Sequence, residues 1–131
     1  MVKKKIPNYT VIKDTREQRG WIFNKSDRCD GMRVETLKTG DYTLKGFEEM
    51  VCMERKFSVE EIATNLGKKK KAFGEEMKRM REFPFKFIIC EFTLDDLVNY
   101  PNSIFSEEMK KARPEFTKSK IAERKVTGKY L

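Results

Sequence analysis

Residues 40–56, GDYTLKGFEEMVCMERK, decide how this chain folds. Their composition predicts a strand over 41–45, a turn at Gly46 and a second strand over 50–56. A hairpin of this kind returns the chain beside its starting point and lets Asp41 converge with Glu54 on one ion. In a strand, residues two apart share a face, so Glu54 and Lys56 point to the same side.

Upstream, YTVIK (9–13) predicts a strand that ends at Asp14. Residues 15–31 are rich in Arg, Asp, Asn and Gly and predict a loop with room for a short helix; Trp21, Ile22 and Phe23 form an apolar island in it. Met32, Val34 and Leu37 suggest a strand over 32–38. Downstream, Ser58 followed by Glu61 is a capping-box pattern. The helix it opens carries Val59, Ile62, Ala63 and Leu66 on one face and ends near Gly67. After the basic run Lys68–Lys71, a helix over 70–82 places Phe73, Met77 and Met80 on one face, and Pro84 stops it. KFIICEF (86–92) is dense in β-formers and predicts a buried strand. Thr93 then caps a short helix with Leu94, Leu97 and Val98 inside, ended by Pro101. The polar stretch 102–120 predicts a loop and a helix start. Strands first, then helices around a late strand, predict one α/β domain over 1–131, with a central mixed sheet flanked by α-helices.

The chain has 131 residues and a formal charge of +8, which suits one domain with a modest core and favours a polyanionic partner such as nucleic acid. Three widely spaced cysteines without a CxxC pair, and no histidine, argue against a structural zinc site. They also leave proton transfer to Lys, Asp or Glu. No apolar run reaches the length of a membrane span, so no membrane partner is expected and a reducing, cytoplasmic setting follows as the default.

Cleaving a phosphodiester needs a nucleophile, a clamp on the phosphate and stabilisation of the leaving oxygen. A hard divalent ion polarises the phosphoryl oxygen and lowers the pKa of bound water. Magnesium takes oxygen ligands and keeps several waters, so one or two carboxylates suffice. Asp41 and Glu54 are the candidate ligands, and the backbone carbonyl near Arg55 can complete the set. Lys56 is placed to orient the attacking water or to stabilise charge on the phosphate. For an isolated Asp…Glu-x-Lys pattern, a turn aspartate and a solvated strand end are the plainer interpretation. A second cluster, Asp14-Thr15-Arg16-Glu17, follows a strand directly and would sit at a sheet rim. There Asp14 and Glu17 can flank an ion and Arg16 can fork onto phosphate, or all three can form a charged turn. Lys68, Lys69, Lys70 and Lys71 can meet a phosphate backbone or form a solvated face. Trp21 and Phe23 can stack on an unpaired base or pack in the core.

Together these residues resemble the XPF-type nuclease domain of the PD-(D/E)xK superfamily. The resemblance is carried, in order, by VIKDTREQ (11–18), GDYTL (40–44), MERKFSVEE (53–61) and FIICEF (87–92). It implies a restriction-endonuclease-like core and Mg²⁺- or Mn²⁺-dependent cleavage of DNA near branches, flaps or nicks, as in repair and recombination. It implies that Asp41 and Glu54 bind metal and that Lys56 is catalytic. Asp14, Arg16 and Glu17 fall on the second active-site motif, and Arg55 turns away from Glu54 and Lys56. The family's acidic position four past the lysine is usually Asp and is Glu60 here. Relatives dimerise through their nuclease domains, so a homodimer or a hetero-partner is implied. They also carry a helix-hairpin-helix tandem for which this chain has no room. A minimal prokaryotic or phage form, acting in the cytoplasm of the cell or of the infected host, is the expectation. KVTGKYL (125–131) resembles the start of a closing helix, which implies a truncated C-terminal end. Two other functions stay open: a catalytically silent DNA-binding scaffold on the nuclease fold, and a sequence-specific restriction-type enzyme.

Overall fold

Tyr, Thr, Val and Ile favour extended backbone, and YTVIKD forms strand β1 (Tyr9–Asp14), with Val11, Ile12 and Asp14 buried. The computed structural model describes residues 5–130. Strand β2 (Cys29–Glu35) pairs with β1 in parallel, Val11 lying opposite Met32 and Asp14 opposite Glu35. It starts three residues earlier than the alternation of Met32, Val34 and Leu37 suggested. Its only buried residues are Cys29 and Gly31, and Val34 is exposed, so the apolar spacing there marked no buried face. The segment between β1 and β2 contains no helix.

Strands β3 (Tyr42–Leu44) and β4 (Val51–Lys56) form the expected antiparallel hairpin, with Tyr42 opposite Met53. Gly46 takes a φ of +86° in its turn, where a side chain is rarely tolerated. The Thr43 hydroxyl donates to the Val51 carbonyl at 2.6 Å and ties the two strands together. β3 also pairs antiparallel with β1. The Phe85 N–H donates to Met50 O and the Glu91 N–H to Lys56 O, so β5 (Phe85–Cys90) runs parallel to β4. The result is a five-stranded mixed sheet in the order β2-β1-β3-β4-β5.

Helix α1 (Val59–Leu66) starts at the Ser58 cap and stops at Gly67, as the capping pattern predicts. Helix α2 (Lys70–Arg81) follows, with Met80 buried. Beyond β5 the chain is helical in short pieces: α3 (Leu94–Val98), a 3-10 turn at Asn102–Ile104, α4 (Glu107–Ala112), α5 (Pro114–Ala122) and a 3-10 turn at Gly128–Tyr130. The stretch 102–120 is thus more helical than its polar composition indicated.

Two expectations of burial fail. β5 is an edge strand, and Phe85, Phe87 and Ile88 are all about half exposed rather than buried. Density of β-formers predicts a strand but not which layers cover it. In α3, Leu94 and Val98 are exposed, and only Leu97 packs against the buried cluster below it. A helix of five residues is too short to bury a whole stripe.

The chain divides into two compact units. One comprises 1–55 and 76–88; it holds β1, β2 and β3, most of β4 and β5, and the C-terminal half of α2. Its interior is Val11, Ile12, Tyr42, Cys52 and Met80, and the Arg79 Nε donates to the Thr39 hydroxyl. The other comprises 56–75 and 89–131. Its core is Val59, Ala63 and Tyr100, with Phe92, Leu97, Ile104 and Val126 packed around them.

Candidate active site

Within the first unit, β1 delivers Asp14 to the sheet end, where it is 2% exposed. Its carboxylate accepts the Arg16 backbone N–H, the Arg16 Nε (2.7 Å) and Nη2, and the Leu37 N–H (2.8 Å). Burial pushes this carboxyl up, but the hydrogen bonds from Arg16 and Leu37 outweigh it and hold it below its ordinary 3.8. The Arg16 Nη2 also donates to the Leu37 carbonyl. Asp14 and Arg16 therefore lock the end of β1 to residue 37. Both oxygens of Asp14 are engaged in that lock, and the Arg16 side chain remains two-thirds exposed.

Glu17 goes to the other side of β4. Its carboxylate lies 3.8 Å from Nη1 of Arg55, and the Arg55 guanidinium sits 5.7 Å from the centre of the Trp21 ring. Trp21 stacks on Tyr42 and its backbone N–H donates to the Tyr42 hydroxyl; Phe23 meets the same ring edge-on. Trp21 and Phe23 of the apolar island thus pack on β3 while Ile22 stays exposed, and alternation turns Arg55 away from Glu54.

Gly40 and the hairpin place Asp41. With φ at +81°, Gly40 lies so close to β4 that a Cβ would meet the Cys52 sulfur at 2.6 Å. The Asp41 N–H then donates to Met53 O, and Asp41 Oδ2 accepts the Arg55 N–H at 2.8 Å. The Asp41 carboxylate is thereby held at the peptide that follows Glu54. Glu54 is 6% exposed on the face of β4 that also buries Cys52 and Lys56. The Cys52 thiol registers this charge: burial first, then Glu54, Glu76 and Asp41, push it up to about 11. Glu76, on α2, was not singled out by the motifs. The signal for it was positional, since it lies three residues after Phe73 and four before Met80, on the apolar stripe of that helix.

The second unit begins with Lys56, the last residue of β4, 3% exposed. Its ammonium is 3.6 Å from Glu61 Oε1 and 5.3 Å from the Phe73 ring centre. Glu60 points elsewhere. One of its oxygens accepts Nε (2.9 Å) and Nη2 (2.6 Å) of Arg124, and the Tyr100 hydroxyl lies at 3.5 Å. Lys68, Lys69, Lys70 and Lys71 are exposed. A cavity of about 610 Å³ in this unit is lined by Glu60, Lys68, Tyr100, Arg124 and Lys125, among others.

Among the described residues, no three His, Cys, Asp or Glu side chains form a group able to hold a metal ion. Asp41 and Glu54, which both act on the Cys52 thiol, are oxygen donors of the kind a hard divalent cation takes. Two carboxylates, one buried, load negative charge into one part of the sheet, and magnesium accepts such a pair while keeping waters of its own. Asp14 does not fit, because its oxygens already accept four donors. Comparison with protein-family models, with characterised proteins and with solved structures finds no match. No helix among the described residues is long and apolar enough to cross a membrane.

Proposed function

We propose that the chain is a metal-dependent DNA endonuclease of the XPF-like, PD-(D/E)xK type. One observation carries the reading: successive inward positions of β4 bury a carboxylate, Glu54, and an ammonium, Lys56. Withdrawing each from water costs several kcal/mol, and pairing in place does not reliably recover it. Buried charges of this kind make a strand end a candidate functional site.

Asp41 and Glu54, with the Arg55 carbonyl, hold Mg²⁺ or Mn²⁺, and Asp14 is left to organise the loop. The ion supplies Lewis-acid polarisation of the phosphoryl oxygen. Lys56 holds the attacking water or balances the charge that grows on the phosphate oxygens. In-line attack leaves a 5′-phosphate and a 3′-hydroxyl. Arg16 and Lys68–Lys71 contact the DNA backbone, and Glu17 keeps Arg55 in place. A second protein chain as partner, and a cytoplasmic setting, rest on the resemblance and the composition.

The test is cleavage of linear duplex, nicked, flap and fork DNA with Mg²⁺ at stated salt. Wild type is expected to cut the branched substrates and to stop when the metal is chelated. Asp41→Asn is expected to lose at least about 100-fold in rate. Intact duplex cut at a fixed sequence would instead favour a restriction-type enzyme. Binding without cleavage on every substrate would establish the silent scaffold and sink the enzymatic reading.

A further inference from the structure

We infer that Glu61, not Glu60, is the positioning residue for the Lys56 ammonium, a claim that rests on the catalytic role proposed for Lys56. The family pattern puts its acidic residue four past the lysine, at Glu60. Neighbouring residues on a helix point roughly 100° apart, so Glu60 and Glu61 cannot serve the same partner equally. Glu60 is taken by the Arg124 fork and the Tyr100 hydroxyl, which ties α1 to the segment after α5.

Glu61 is fixed by the start of α1. Its N–H donates to the Ser58 hydroxyl at 3.2 Å, and its Oε2 accepts the Phe57 N–H at 3.1 Å. That grip leaves Oε1 facing the Lys56 ammonium at 3.6 Å, an ion-pair separation rather than a hydrogen bond. The Phe73 ring contacts the same ammonium. One carboxylate therefore joins the helix cap to the buried end of β4. The geometry of the cap sets where the ammonium sits.

Glu61→Gln keeps an acceptor for the Phe57 N–H and removes the charge. Its expected effect is a fall in kcat of about 10–100-fold with KM for DNA within about twofold of wild type. Glu61→Asp, which keeps the charge on a shorter arm, is expected to retain more of kcat than Glu61→Gln. The Lys56 ammonium signal in nitrogen-detected NMR is expected to broaden or shift in both variants, and Glu60→Gln is expected to leave it in place. An unchanged kcat in folded Glu61→Gln overturns the inference, as does an unchanged ammonium signal. So does a loss of kcat in Glu60→Gln that Glu61→Gln does not share. Should wild type cut no DNA, the nuclease reading falls, while the NMR arm still decides whether Glu61 holds Lys56.

Discussion

Asp14 and Gly40 show how single residues fix a strand end and a close approach between strands. Asp14 is a buried carboxylate whose hydrogen bonds to Arg16 and Leu37 hold it below 3.8. Its contribution to stability is complete above that value and is lost as pH falls below it, through the lower folded-state value. Asp14→Asn is therefore expected to lower stability by about 1–2 kcal/mol near neutrality, discounted because Arg16 is largely exposed. The gap from wild type should begin to narrow below about pH 4 and keep closing as pH falls through the lower folded-state value, in melting curves taken across acid pH. Gly40 makes a second case. Its φ of +81° and its closeness to the Cys52 sulfur leave no space for a methyl group. Gly40→Ala is expected to destabilise by about 2 kcal/mol in urea unfolding and, by displacing Asp41, to weaken Mn²⁺ binding. The first motif, Asp14-Thr15-Arg16-Glu17, was legible as a cluster at a strand end. Its division of labour was not, because the partners Leu37 and Arg55 are distant in sequence.

At the scale of elements, the hairpin and α1 followed from local chemistry. Gly46 makes the turn, Ser58 caps the helix and Gly67 ends it. Ser58→Ala removes the hydroxyl that accepts the Glu61 N–H, and about 1 kcal/mol of stability should go with it in chemical denaturation. If the cap also positions Lys56, the same substitution lowers kcat beyond what that loss of stability explains. β5 and α3 show where local reading stops. FKFIIC forms a strand because its residues favour extended backbone, yet half of that apolar surface stays exposed at the sheet edge. Leu94 and Val98 fit a helix face in spacing but not in depth.

At the scale of the whole molecule, net charge of +8 matters more than any one lysine. Lys68–Lys71 are exposed and consecutive, suited to binding phosphate. Replacing all four with alanine is expected to weaken binding to DNA of any sequence. It should also flatten the dependence of log K on log salt by about 2–4, at roughly 0.9 for each phosphate the variant no longer neutralises. Measured binding with an unchanged slope would place the DNA on another surface. The sequence by itself determined the strand–turn–strand of 41–56, the capped helix after it and the α/β class, because turn glycines, caps and side-chain periodicity act within a few residues. Tertiary structure alone decided that Glu60 goes to Arg124, that Glu76 acts on Cys52, and that the apolar residues of β5 stay half bare. Those outcomes depend on which distant segments pack together, and no local pattern encodes that packing.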